Sequence, residues 1–291
     1  MSIRNPIEWG VDQVRGAGAS LGTLGRDLQA ADAGSLAAPL SVNRIDANDI
    51  KLALVQGVQD FAANRTDVLF VCVVYPVLGL VFGRMASGYD MIPLLFPLAS
   101  GFALVGPFAA IGLYEMSRRR EQRESAGIAA AFGVLQSPAI GSMVFLGLIL
   151  VAMLVLWLAT AMGIYDLTLG PAPPASLSAF ARDVLTTGPG YALIVLGFGV
   201  GFIFAALVLM ISFVSFPLML DRNVGLQTAV WTSVQAAAAN PTATALWGLV
   251  VAVGLVLGSI PLFLGLIVVM PVLGHGTWHL YRRLVPRQAS L

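Results

Sequence analysis

The chain has 291 residues, of which 58% are hydrophobic and only 11% are charged, and its mean hydropathy is +0.86. This composition is too apolar for a soluble domain of that size and predicts a protein embedded in a lipid bilayer. The formal net charge of +1 argues against a nucleic-acid partner, and the single cysteine excludes a disulfide framework or a cysteine metal site.

Residues 1–45 are rich in Gly, Ala and Ser, and they contain charged residues but no early apolar run. We therefore expect a flexible or interfacial cytoplasmic segment and no cleaved signal peptide. Residues 46–285 are expected to form the membrane domain, and residues 286–291 a cytoplasmic tail.

A juxtamembrane amphipathic helix is predicted from Asp46 onward. Its apolar face is expected to carry Ile50, Leu54, Val58 and Phe61. The polar residues of the same helix are expected elsewhere on its surface: Asp49, Lys51, Gln56 and Asp60.

Long apolar blocks predict six transmembrane helices, at residues 68–83, 91–117, 140–164, 190–220, 243–258 and 259–281. The last two are divided at Gly258 to Pro261, because glycine, serine and proline there favour a turn. With a cytoplasmic N-terminus, six spans leave only Arg84 and Arg182 outside, whereas five would also place the C-terminal arginines there, against the positive-inside rule. We therefore predict a multi-pass protein of the bacterial inner membrane with both termini cytoplasmic.

The sequence also contains an internal repeat. Residues 107–119 and 271–283 share a proline, a glycine five residues later, an aromatic residue and paired arginines, and residues 53–66 agree with residues 229–242 at half of the positions. A third unit at 127–222 is fainter, and apolar composition alone explains it equally well. The fold class predicted is an all-α polytopic membrane protein of two or three repeated hairpin units with cytoplasmic amphipathic helices.

The predicted spans contain almost no ionisable side chains, because Asp, Glu, His, Lys and Arg are absent from residues 68–83, 91–114, 140–165, 190–220 and 243–274. This absence weighs against a proton or ion pathway. Hydroxyl groups in the spans, such as those of Ser212 and Ser215, are expected to bond to backbone carbonyls one turn earlier and to serve helix packing.

Charged residues stand at the ends of the predicted helices that return to the cytoplasmic side. They form the candidate cytoplasmic rim: Glu115, Arg118, Arg119, Asp221, Arg222, His279 and Arg282. Two interpretations stay open, a charged ring where the repeats meet and a solvated rim that touches anionic lipid, and the second is favoured. Three prolines precede these charges and are expected to bend their helices, Pro107, Pro217 and Pro271, which would open a cytoplasm-facing cavity.

His275 and His279 lie four residues apart on one helix face, a spacing that suits a metal ion. Two ligands make a weak set, so no metal is predicted, and the favoured interpretation is an interfacial aromatic belt with Trp278 and Tyr281. No catalytic or phosphate-binding motif stands in a suitable context, so neither an enzyme nor a cofactor is expected.

Four stretches carry a family resemblance: residues 112–119 (GLYEMSRR), residues 215–222 (SFPLMLDR), Asn240-Pro241 with Trp247-Gly248, and residues 271–282. Over residues 41–285 the chain resembles a family of bacterial predicted integral membrane proteins of unknown function, some of them labelled cytochrome c oxidase subunit I. The resemblance brings no catalytic or binding residues. Two histidines at one helix end cannot supply the haem and copper ligands of an oxidase core.

The function predicted from the sequence is a non-catalytic scaffold, or an accessory or assembly factor, for a membrane complex, with a respiratory complex as the candidate suggested by the label. The alternative is a carrier or channel for a small uncharged or lipid-like molecule. A cavity lined by Tyr75, Ser212 and Ser215 would favour the carrier, and a filled core would favour the scaffold.

Overall fold

The computed structural model describes residues 40–63, 89–124, 131–261 and 264–287, and every regular element in these ranges is an α-helix or a 3₁₀-helix. The all-α prediction is confirmed for this part of the chain. The α-helices are α1 (Ala47–Ala63), α2 (Leu95–Ala109), α3 (Ile111–Glu121), α4 (Ile140–Thr168), α5 (Leu177–Thr186), α6 (Gly188–Ser212), α7 (Ser215–Arg222), α8 (Leu226–Ala239), α9 (Pro241–Ser259) and α10 (Leu266–Leu284). Two 3₁₀-helices cover Tyr89–Leu94 and Phe132–Gln136.

Three helical stretches of the described chain are long and apolar enough to cross a membrane. They are Ile140–Thr168, Gly188–Arg222 and Pro241–Ser259, and a bent pair, Ile92–Leu98 with Ala103–Ala109, adds a fourth if it counts as one span. The predicted helix at 68–83 lies outside the described residues. The count of six spans, the repeats and the orientation of the termini therefore stay predictions.

Two of the predicted helices are interrupted. The helix predicted at 91–117 is divided into a 3₁₀-helix, α2 and α3, and α2 ends two residues after Pro107, which has no N–H for the helix ladder. The helix predicted at 190–220 is divided at Phe213 and Val214, and Pro217 follows in the first turn of α7. In α10, by contrast, the helix is continuous through Pro271.

The predicted division of the last apolar block is present, but the final helix starts later than expected. Helix α9 ends at Ser259, and α10 begins at Leu266 rather than at 259. The two helices approach each other closely at this turn, since a Cβ atom on Gly265 would lie 2.8 Å from the Cα atom of Gly258. Only glycine fits such an approach.

Helix α1 packs most extensively on α10, and its buried face differs from the predicted one. The buried residues are Ile50, Ala53, Gly57 and Asp60, whereas Val58 is exposed. A Cβ atom on Gly57 would lie 2.6 Å from the carbonyl oxygen of Val272, so the two backbones are in contact. The close approach requires small residues at the contact, which is why Ala53 and Gly57, and not Val58, lie there.

The indole of Trp157 joins three of the central helices. The Trp157 Nε1 of α4 donates to the Pro97 carbonyl (3.3 Å) and to Ser100 Oγ (3.1 Å) of α2, and its ring contacts Phe204 of α6. Beyond α4, the short helix α5 is capped by Ser176 Oγ, which accepts from the Ala179 N–H.

Candidate functional site

A buried polar cluster joins α1, α3 and α10. Ser117 Oγ donates to Asp60 Oδ2 (2.6 Å) and lies 2.7 Å from His275 Nδ1. His279 Nε2 lies 2.9 Å from the same carboxylate oxygen, and Arg120 Nη1 lies 3.0 Å from Asp60 Oδ1. Three helices thus meet at one carboxylate, and we name these five residues the Asp60 cluster.

The chemistry of these groups decides which atom donates in each hydrogen bond between Asp60, Ser117 and His275. A carboxylate only accepts, so the Ser117 proton goes to Asp60, and His275 Nδ1–H must then be the donor to Ser117 Oγ. The Nε2 atom of the neutral ring therefore carries its lone pair. His275 is fully buried, and this Nε2 atom has no hydrogen-bond partner among the described residues.

The charge of Asp60 is retained in spite of burial. The residue is only 5% exposed, and desolvation by itself raises its pKa. The hydrogen bonds from His279 and Ser117, together with the nearby imidazoles, outweigh desolvation and hold the pKa of Asp60 below its usual value of 3.8. The cluster is therefore built around an ionised carboxylate.

The Asp60 cluster lies beside the first third of the candidate span α9, near the end of the bundle where α3 and α10 terminate. Helices α9 and α10 are antiparallel over residues 247–258 and 266–276, because Gly258 contacts Leu266, Gly254 faces Val269 and the Trp247 ring lies against Gly276. Trp247 is six residues inside α9, about 9 Å at 1.5 Å per residue. The apolar blocks are free of charge as predicted, yet ionisable groups from their ends and from α1 meet beside this part of α9.

The two histidines have different neighbours. His279 Nε2 is committed to Asp60 and His275 Nδ1 to Ser117, and no set of three potential metal ligands occurs among the described residues. The aromatic-belt interpretation does not hold for Trp278 and Tyr281, because both rings are fully buried and therefore do not face lipid. Arg282 stacks on both of them.

The predicted rim residues lie at one end of the bundle, which we name the arginine-bearing end, where α3, α7 and α10 terminate. Glu115 is 1% exposed and accepts from Arg118 Nε (2.6 Å) and from Arg119 Nε (2.7 Å). These three residues all belong to α3. Gly133 lies beside them, and because it has no side chain it leaves room for the Arg119 guanidinium.

A second group of rim residues joins α7 to α10. Arg282 donates to Asp221 Oδ1 (2.7 Å) and to Glu121 Oε2 (2.9 Å), and Tyr281 donates to Asp221 Oδ2 (2.7 Å). Arg222 donates to the Pro286 carbonyl. The arginine-bearing end is thus a set of internal ion pairs, and its role stays a prediction.

Two surface depressions lie near these groups. One, of about 430 Å³, is an apolar groove between α1 and α9, lined by residues that include Leu54, Val58, Leu246 and Val250. The other, of about 530 Å³, lies at the arginine-bearing end and is lined by Gln122, Asp221, Arg222, Arg282 and Arg287.

The hydroxyl groups that were expected to serve packing do so. Ser212 Oγ donates to the Val208 carbonyl (2.6 Å), and Ser215 Oγ donates to the carbonyls of Ile211 (2.5 Å) and Ala229 (3.1 Å). Both serines are buried. Tyr75, the third residue of the cavity considered from the sequence, lies outside the described residues.

Sequence reasoning missed four members of these networks: Asp60, Ser117, Arg120 and Glu121. A signal for Asp60 was available, because Ala53, Gly57 and Asp60 follow one another at helical spacing and mark a face narrow enough for close helix contact. The partners on α3 carried no comparable signal, since a run of polar residues after an apolar block usually faces solvent.

One protein-family model matches the central part of the chain. Residues 95–221 match the model of a family described as a predicted integral membrane protein, DUF2189. This is the family that the sequence resembles. No curated protein and no solved structure matches the chain.

The segment that matches this predicted integral membrane protein family covers α2 to α7 except the last residue of α7. It includes Glu115, Ser117, Arg120 and Asp221, whereas Asp60 and both histidines lie outside it. The family description names no activity and no ligand.

Proposed function

We propose that the protein is a non-catalytic membrane scaffold, or accessory factor, that holds a partner membrane complex through its arginine-bearing end. The observation that carries this proposal is that these polar groups are satisfied by partners within the chain itself. The buried hydroxyl groups of Ser212 and Ser215 bond to backbone carbonyls, and Glu115 and Asp221 are neutralised by arginines of the same chain. Groups satisfied in this way stabilise a fixed shape.

The exposed side chain at this end offers a contact for a partner. Arg287 is 60% exposed at its side chain, pairs with Glu121 at 3.0 Å and lines the polar depression. Reversing its charge removes one rim ion pair whose contribution to stability is below about 1 kcal/mol, so the fold is retained. A partner that binds this surface would lose affinity for the Arg287→Glu variant.

The experiment extracts the full-length protein from its native membranes in polymer-bounded nanodiscs and measures the stoichiometry of co-purifying membrane proteins. We expect one partner at a fixed ratio for the natural sequence and for Arg182→Glu, an exposed position on α5, and a reduced ratio for Arg287→Glu. A protein that purifies without a stoichiometric partner, or a partner that is insensitive to Arg287→Glu, contradicts the proposal.

A carrier for a lipid-like molecule is the second candidate, and the apolar groove between α1 and α9 favours it because its lining of Leu54, Val58, Leu246 and Val250 suits an acyl chain. Purified protein in vesicles with a fluorescent phospholipid separates the two functions. Accelerated transfer of the lipid, lost in Val250→Trp and retained in Leu257→Trp on the exposed face of α9, would favour the carrier.

A further inference from the structure

Helix α8 connects two candidate spans without carrying a single charge. It covers Leu226–Ala239 and lies between the stretch Gly188–Arg222 and the stretch Pro241–Ser259. Its sequence, LQTAVWTSVQAAAA, contains no Asp, Glu, Lys or Arg, although it stands four residues from Arg222. A surface helix in water normally presents charged side chains on its outer face.

The exposed face of α8 carries no charge but presents one large aromatic ring. Small and polar residues are buried, among them Ala229, Ser233 and Ala236, while Trp231 is 63% exposed. The other described tryptophans, Trp157, Trp247 and Trp278, are at most 2% exposed. The other exposed residues of α8 are Gln227, Ala238 and Ala239, so the outer face is uncharged and combines an indole with an amide. Such a face suits the boundary between lipid headgroups and hydrocarbon.

The inner face of α8 repairs the interruption between α6 and α7. Ser233 Oγ donates to the Met210 carbonyl (2.7 Å) and accepts from the Val214 N–H (3.3 Å), two backbone groups freed by the break. A broken helix at membrane depth is tolerated when a neighbouring hydroxyl satisfies its backbone in this way. The face that performs this repair is opposite to Trp231, so the indole points away from the bundle.

We propose that α8 lies in the plane of the bilayer surface and inserts Trp231 between the lipid headgroups and the acyl chains of the leaflet at the arginine-bearing end. The indole has an apolar body and one N–H donor, and this combination places it at the boundary between headgroups and hydrocarbon. The two flanking spans hold both ends of α8 at that surface. The partner is the lipid itself, and the proposal is independent of the scaffold function.

The emission of Trp231 tests this placement in the full-length protein. The protein carrying Trp9→Phe is reconstituted in vesicles of equimolar phosphatidylethanolamine and phosphatidylglycerol that contain lipids brominated either next to the carbonyl or near the chain end. The difference between this protein and the same protein carrying Trp231→Phe isolates the emission of Trp231. We expect bromine next to the carbonyl to quench most of it, and bromine near the chain end to quench little.

Trp157 supplies the matched control, because it is buried in the bundle and the corresponding Trp157→Phe difference should show little quenching by either lipid. Three results overturn the proposal. Quenching of Trp231 by neither lipid together with strong quenching by aqueous acrylamide means that the ring faces water. Protection from lipid bromine and acrylamide alike means that a second copy, a partner or another segment covers it, and quenching mainly from the chain end means that it lies at span depth.

Discussion

Asp60 shows how one residue changes meaning between the sequence and the folded chain. In the sequence it is a polar residue of an amphipathic helix, whereas in the structure it accepts hydrogen bonds from Ser117 and His279 and pairs with Arg120. Its hydroxyl and imidazole donors come from positions 57 and 219 residues away in the chain. The residue therefore ties α1 to α3 and α10, and its removal should loosen all three.

Asp60→Asn is expected to lower the free energy of unfolding by about 1–3 kcal/mol, because hydrogen bonds to a charged acceptor weaken when the charge is lost. The matched control is Asp49→Asn, whose partner Arg283 is part-exposed and whose pair contributes less than about 1 kcal/mol. Thermal unfolding in detergent, followed by size-exclusion chromatography of the soluble fraction, measures both variants. Equal losses in the two would contradict the structural role of Asp60.

The pH dependence of this effect has a defined sign. Since the pKa of Asp60 in the folded protein lies below its usual value of 3.8, the unfolded chain binds the proton first as the pH falls. The stabilisation is complete above about pH 4 and is lost as the pH drops through the folded-state pKa. The difference in unfolding midpoint between the natural protein and Asp60→Asn should therefore narrow in strong acid, and a constant difference would refute the assignment.

At the scale of elements, backbone contact between α1 and α10 organises the arginine-bearing end. Gly57 faces the Val272 carbonyl and the Gly276 N–H so closely that a Cβ atom would lie 2.6 Å and 2.8 Å from them. Backbone atoms cannot rotate away as a side chain can. The helix pair and the Asp60 cluster therefore depend on the absence of one methyl group.

Gly57→Ala should destabilise the protein by about 1–3 kcal/mol through overpacking, although alanine is the better helix former. Gly197→Ala is the control, because a Cβ atom at Gly197 would meet nothing within 4 Å, and it should be neutral or stabilising by up to about 1 kcal/mol. Unfolding midpoints in one detergent compare the two. A neutral Gly57→Ala would mean that α1 is not in backbone contact with α10.

For the whole molecule, the arrangement of charge predicts which parts face which side of the membrane. The ends of α3, α7 and α10 lie together and carry arginine, and α5 lies in the loop between the spans formed by α4 and α6. From the positive-inside rule we predict that the first group faces the cytoplasm and that α5 lies outside. Six spans with cytoplasmic termini remain the prediction for the complete chain.

Cysteine labelling tests this orientation. In a background with Cys72→Ser, Ser178→Cys on α5 should react with a membrane-impermeant maleimide in intact spheroplasts, whereas Glu124→Cys after α3 should react only after lysis. Both positions are exposed, so access is limited by the membrane and not by burial. Tags added to the two termini should be detected only in lysed cells. A C-terminal tag detected outside would exclude the six-span arrangement.

The sequence by itself determined that the chain belongs in a bilayer, that it is helical, and that arginines follow several of its apolar blocks. These features follow from local composition and from charge next to apolar blocks, which act residue by residue along the chain. The bonds from Ser212 Oγ to the Val208 carbonyl and from Ser215 Oγ to the Ile211 carbonyl were equally local, since each reaches a carbonyl one turn earlier.

Only the tertiary structure decided which face of α1 is buried, that Asp60, Ser117 and His275 meet, and that Trp231 rather than Trp278 is exposed. Each of these depends on how closely two helices approach and on how each helix is rotated about its axis. The distance and the rotation are set by contacts between residues far apart in the chain, such as a glycine in a helix contact or a hydrogen bond between two helices. Hydrophobic periodicity reports which residues prefer to leave water. In a bilayer both faces of a helix do so, and the pattern no longer tells the core from the lipid.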